Sequence, residues 1–446
     1  MRPVSCEGIY VTPFEIGLIA LALMGLLVLL GMHVPIALIA CSFVGVWAIK
    51  GSPLLASKML GLAANDAISS YFFGVVPLFV LMGFLVSESG MGRDAFDVAN
   101  AMFRRIKGGL GIGTIAANTI FAAITGISIA SAAVFTKIAV PELRRHGYTP
   151  RFSVGVVAGS SVLGMLIPPS LLLILYGLLT EQSIGDLFVA GIGPGLLLAV
   201  LFGAGTVMMA HFAPRMVGEN LGQSPDDLSS RQLLAKGLPI TGLILVVLGG
   251  IYAGFFTPVE AGAIGTVGAL LIGLLKRTLS AQGLWRVLVE TGLVTAAVCF
   301  LIIAAQMYSR MLSFSGLPGS FGEMVATAEL GLYGLILIYV LIVILFGMIL
   351  DSSSIMLILV PLMLPVIVPM GVDLVWFGII TVIAVEIGLL TPPFGISVYV
   401  IKSTLGSDDI KLSDIFIGAA PFACMMLICL AAVILVPTIA TGLLGR

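Results

Sequence analysis

Apolar residues run along this chain in long continuous blocks separated by short polar connections. Such blocks occupy roughly residues 14–31, 33–49, 71–88, 152–180, 187–210, 237–255, 258–275, 288–309, 374–401 and 414–440. A bilayer core about 30 Å thick is crossed by roughly 20 apolar residues in helix, so each block predicts a transmembrane span. The runs do not alternate, which excludes a β-barrel, and an open strand in lipid would leave its backbone groups without partners. Two further apolar regions, 110–140 and 330–370, are broken near their centres. One break is Thr125-Gly126-Ile127-Ser128-Ile129-Ala130-Ser131 and the other is Asp351-Ser352-Ser353-Ser354. Irregular backbone at membrane depth persists only where protein or a cavity surrounds it, so both regions predict re-entrant helical hairpins. The fold class expected is an all-α polytopic membrane protein.

The pattern repeats. Pro35 matches Pro258, Ser89-Gly90 matches Ser315-Gly316, Gly126 matches Gly347, Pro141 matches Pro361, and Gly164 to Pro169 matches Gly388 to Pro393. The offsets, read from those numbers, are 223, 226, 221, 220 and 224. Residues 1–210 form one expected half and 237–446 the other, with a cytoplasmic linker over 211–236. Each half carries five spans and one hairpin. An odd number of spans inverts the second half relative to the first. Inverted repeats with broken helices are the mark of secondary transporters that bind substrate near the midplane. The expectation is a secondary transporter, with hairpins and broken helices moving together against a scaffold of the spans near 14–49 and 237–275. An ion channel or anion pore on the same repeat is the alternative.

Two spans contain paired prolines, Pro168-Pro169 and Pro392-Pro393. Proline removes a backbone donor and clashes with the carbonyl one turn back, so each pair should unwind its helix. Unwound carbonyls suit a sodium ion. Each break follows its half's hairpin tip, so each half can build a site from both. The first would use Gly126, Ser128 and Ser131 against Gly159, Ser160, Ser161 and Gly164. The second would set Asp351, Ser352, Ser353 and Ser354 against Glu386, Gly388, Thr391 and Pro392. Sodium is expected at Gly126, Ser128 and Ser160, and at Asp351, Ser352 and Thr391. Ionisable groups at membrane depth cost at least ~2.5 kcal/mol and are usually functional, which singles out Asp351 and Glu386. Glu386 lies about 9 Å along the helix from Pro392, so it reads as a ligand or as a supporting or interface carboxylate. Asp351 is equally placed to cap the helix that follows it. Glu260 reads as a cap or an interhelical partner, and Lys137 as a snorkelling side chain, with contact to an anionic substrate as the alternative. Gly191–Gly195 and Gly250–Gly254 have the spacing of close helix packing.

Composition narrows the function. Of 446 residues 59% are hydrophobic and 10% charged, with a net charge of −1. Nothing favours nucleic acid. Five scattered cysteines offer neither a disulfide framework nor a zinc site, and read as small core residues. The first apolar block reads as a retained span rather than a cleaved signal. With the N-terminus outside, fifteen of the 21 basic residues fall in cytoplasmic connections, as the positive-inside rule requires. No GK[ST] run supports ATP hydrolysis, no HExxH motif is present, and no Ser–His–acid set suggests an enzyme.

These stretches resemble one family throughout: Pro77 to Phe84 with Ser89-Gly90; Gly108-Gly109-Leu110 with Asn118 to Ala122; Pro141 to Arg151; Gly155 to Ser170; Thr257 to Ala261; and Gly388 to Gly395. The chain resembles the large membrane subunit of tripartite ATP-independent periplasmic (TRAP) transporters. The resemblance implies a multi-pass protein of the bacterial inner membrane. It also implies two partners, a small four-span membrane subunit and a periplasmic substrate-binding protein. Sodium is the implied coupling ion, with no ATP, and the implied architecture is that of an elevator-type transporter. The implied cargo is a small organic anion such as a C4-dicarboxylate or a sialic acid. One departure matters. Many members carry an acidic residue where this chain has Ser131, and the Gly-Ser tip of the family reads Gly126-Ile127 here. Cation binding at the first tip then rests on carbonyls and hydroxyls.

Overall fold

The computed structural model describes residues 11–69, 71–218, 229–327, 331–406 and 409–445. The N-terminal ten residues with Cys6, and the linker centre with Gln223 to Asp227, lie outside the described residues. The described elements are helical throughout. In the first half they are α1 (Pro13–Leu29), α2 (Val34–Lys50), α3 (Pro53–Ser69), α4 (Val75–Glu88), α5 (Met91–Phe103) and α6 (Gly109–Thr125). There follow α7 (Ser128–Arg145), α8 (Pro150–Ser161), α9 (Leu163–Leu166), α10 (Leu171–Thr180), α11 (Ile184–Phe212) and α12 (Pro214–Val217). The second half has α13 (Ser230–Tyr252), α14 (Pro258–Leu275), α15 (Ala281–Ser315), α16 (Leu317–Thr327), α17 (Leu332–Gly347) and α18 (Ser352–Ile367). It ends with α19 (Leu374–Leu390), α20 (Ile396–Leu405), α21 (Leu412–Leu435) and α22 (Thr438–Thr441).

Among the described residues six helices are both long and apolar enough to cross a membrane, or seven with α4–α5 counted as one bent span. Four expected spans take other forms. The first two are the 17-residue helices α1 and α2. The block at 71–88 becomes α4, which bends by 66° into α5. The block at 374–401 is α19 and α20, separated at Thr391–Gly395. The expectation passed over α3, α5 and α16. Two of these are amphipathic, since α3 carries Lys58, Asn65 and Asp66, and α5 carries Arg93, Asp94 and Asp97. A search for continuous apolar blocks cannot find them. The span expected at 288–309 lies inside the 35-residue α15.

Local conformation is alike at several matched landmarks. Gly90 and Gly316 are both left-handed, Pro141 and Pro361 both sit inside helices, and both Pro-Pro bonds are cis. Glu260 closes a capping box with Thr257, accepting from the Thr257 N–H at 2.8 Å. Gly191 and Gly195 do provide close packing, against the Leu166 carbonyl and Ile167. Gly250–Gly254 does not. Gly250 makes room for the returning Phe256 ring, while Gly254 is left-handed in the turn that ends α13. Lys137 is exposed on α7. Cys41 and Cys429 are buried, but Cys424 is exposed on α21 and so is not a core residue.

The chain divides into two compact units. One comprises residues up to Phe73, Ala296–Leu335 and Leu357–Val372. There Gly17 and Gly45 leave room for Ser315 and Met311 of α15, and Arg310 pairs with Asp66 at 2.6 Å. The other comprises Gly74–Thr295, Ile336–Met356 and the chain from Asp373. Its centre is formed by the two Pro-broken helices. The most apolar stretch of Pro150–Thr180 is 89% buried, against 28% for α13 and for α14. Each residue of α19 from Val375 to Leu390 is buried. Helix α8 meets α21 at Gly155 and Gly418, where backbones touch and no side chain would fit. In the same unit α14 packs on α4, with Thr266 donating to the Leu78 carbonyl at 2.9 Å. The expected scaffold spans α13 and α14 thus share a compact unit with both hairpin tips.

Candidate functional site

The first tip is a two-residue break. Helix α6 ends at Gly126, whose φ of +65° is left-handed, and α7 begins at Ser128. A side chain at Gly126 would collide with the Pro169 carbonyl. The Gly126 carbonyl in turn accepts from the Leu171 N–H at 3.1 Å. On the other side of the broken helix, Gly164 lies against Ile127 and Ser128. Tip and break are therefore in contact, and Gly126, Ser128 and Gly164 meet there.

The serines divide. Ser160 donates to the Val156 carbonyl at 2.6 Å and accepts from Asn118 Nδ2 at 2.5 Å. Ser131 donates to Asn118 Oδ1 at 2.6 Å. Asn118 of α6 thus ties α7 to α8, and all three side chains are fully buried. Ser161 turns to its own helix, donating to the Ala158 carbonyl at 2.8 Å. Asn118 is absent from the candidates read from the sequence, although a lone amide inside an apolar helix was a usable signal.

The second tip spans Gly347 to Ser352. A Cβ on Gly347 would lie 2.8 Å from Gly388 Cα, so tip and broken helix touch through backbone. The Phe394 N–H donates to the Met348 carbonyl at 3.3 Å across the break. Asp351 accepts from the Ser354 N–H at 3.2 Å and from its hydroxyl, the geometry of a helix cap. Thr391 Oγ1 donates to the Ile387 carbonyl of its own helix at 2.7 Å, not to Asp351. Ser353 is half-buried. Pro392 and Pro393 are exposed, whereas Pro168 and Pro169 are buried.

Glu386 lies deeper, at 1% exposure. Ser352 of the second tip donates to its Oε1 at 3.3 Å. Ser128 of the first tip also interacts with this carboxylate, yet neither Ser128 Oγ nor Glu386 Oε2 completes a hydrogen bond of ordinary geometry. Residues from both halves thus converge on one buried acid, where the sequence pattern had kept the two tips apart. A buried carboxyl is either neutral or paired, and among the described residues no Lys, Arg or His pairs with Glu386.

The fold is that of a polytopic α-helical membrane protein. It is similar to the YdaH transporter of Alcanivorax borkumensis, with a TM-score of 0.62 and 15% identity over 85% of this chain and 88% of that one. It is also similar to MtrF of Neisseria gonorrhoeae, with a TM-score of 0.60 and 12% identity over 96% and 95%. Those likenesses are of fold. The model of the family described as tripartite ATP-independent periplasmic transporter, DctM component, matches residues 21–439, and the chain belongs to that family. It is 32% identical to the C4-dicarboxylate TRAP transporter large permease protein of Pseudomonas aeruginosa, over 86% of this chain and 89% of that protein. It is 31% identical to the sialic acid TRAP transporter large permease protein of Vibrio cholerae, over 91% and 93%. It is 30% identical to the ectoine TRAP transporter large permease protein of Halomonas elongata, over 93% and 95%. The chain is a multi-pass membrane permease subunit and not an enzyme.

Proposed function

We propose that this subunit imports small organic anions across the bacterial inner membrane, driven by a sodium gradient. A periplasmic binding protein delivers the anion, and a small four-span subunit completes the membrane complex. The observation that carries the reading is the meeting of both hairpin tips at Glu386, with Ser128 Oγ and Glu386 Oε2 left unpartnered. Sodium held among such oxygens offsets the buried charge and holds the tips to the broken helices. Ion and anion occupancy are then linked thermodynamically. The matched landmarks support an inverted repeat, and the contact of each tip with its broken helix supports an elevator in which tips and breaks move together. Relatives of similar identity are named for C4-dicarboxylate, sialic acid and ectoine, so identity does not choose the cargo.

The test is uptake in proteoliposomes containing both membrane subunits and the binding protein. Uptake should require an inward sodium gradient and stop when sodium is equal on both sides. Asp351→Asn keeps a good cap and removes a charge. It should fold normally and need more sodium for half-maximal uptake. Sodium dependence equal to the parent would leave Asp351 as a cap only, and uptake without sodium would end the coupling proposal.

A further inference from the structure

A polar cavity lies away from the tips, in the unit that carries them. It has a volume of about 290 Å³ and is bordered by Arg93, Asp97 and Arg104 of the α5 region, Glu142 and Arg145 of α7, and Lys236 of α13. Four cations thus face two carboxylates. Lys236 is bound to Asp97, and the Glu142 carboxylate lies 3.5 Å from the His146 ring. Arg93 and Arg145 make no ion pair or hydrogen bond among the described residues. Each guanidinium brings five fixed donors suited to phosphate oxygens. Phe96 and Ile138 supply apolar wall.

The position favours a lipid. Helix α5 leaves the apolar α4 through the 66° bend, so the cavity lies at the end of one membrane helix and the start of another. Its basic residues belong to connections that the charge distribution assigns to the cytoplasmic side, where anionic headgroups attract Lys and Arg. We propose that the cavity between α5, α7 and the start of α13 binds the phosphate of an anionic phospholipid.

The full chain, purified and stripped of native lipid, can be mixed with phosphatidylglycerol or phosphatidylcholine and examined by native mass spectrometry. The parent should retain phosphatidylglycerol about tenfold better, and Arg93→Gln with Arg145→Gln should remove most of that preference. Equal retention by parent and variant overturns the proposal. So does displacement of the lipid by millimolar inorganic phosphate, which would mark a soluble-anion site. If the double Gln variant does not fold, a photoactivatable phosphatidylglycerol on the parent decides. Labelling within residues 91–104 and 128–145 supports the site, and labelling elsewhere overturns it.

Discussion

Asn118 offers the sharpest quantitative test of the first tip. Asn118→Ala removes the bonds at 2.5 and 2.6 Å to Ser160 and Ser131. Interhelical bonds inside membrane proteins average about 0.6 kcal/mol, so the pair accounts for about 1 kcal/mol. Ser160 keeps its donation to the Val156 carbonyl. Ser131, fully buried, is left with a stranded hydroxyl, which costs about 1–3 kcal/mol. The single variant should lose about 2–4 kcal/mol in total. Ser131→Ala should also destabilise, because it strands Asn118 Oδ1. Removing both partners strands neither, and any cavity left by Asn118→Ala is present in the single and the double alike. The double variant avoids both stranding penalties and loses the shared bond once, so it should fall short of the sum of the singles by about 3–7 kcal/mol. Reversible unfolding of the purified protein in mixed detergent measures all four corners of the cycle. Additivity within about 0.5 kcal/mol would refute the bridging role.

Glu386→Gln keeps the shape and one acceptor for Ser352 but removes the charge between the tips. It should fold normally and abolish sodium-dependent uptake, and parental sodium dependence in the same proteoliposomes would exclude Glu386 from coupling. Gly388→Val places atoms where Gly347 Cα stands, since even a Cβ would lie 2.5 Å away. It should destabilise by about 1–3 kcal/mol and abolish uptake, and a parental melting temperature would show that the contact is dispensable. Arg286 pairs with Glu88 at 2.7 Å but is 60% exposed. Arg286→Gln should therefore change stability by less than about 1 kcal/mol, and a larger fall in melting temperature would reveal a network not accounted for by this one pair.

The sequence by itself determined the class of fold, because lipid admits few solutions. Continuous apolar blocks must be helices, and breaks such as Thr125 to Ser131 or Asp351 to Ser354 must be enclosed. It also pointed to a repeat, since Gly and Pro punctuate helices through local sterics that do not depend on neighbours. Helices α3 and α5 escaped it because their polar faces interrupt hydropathy without interrupting the helix. Tertiary structure decided what each polar atom does. Ser128, Ser131, Ser160 and Ser161 look equivalent along the chain, yet only Ser128 reaches the Glu386 carboxylate. Ser131 and Ser160 meet Asn118, and Ser161 is satisfied by its own helix. Asp351 is drawn to Ser354, while Glu386 of the second half receives neighbours from both tips. The physical reason is range. Hydropathy and helix punctuation act over one turn, whereas the partner of a buried hydroxyl or carboxylate is set by which distant helix packs against it.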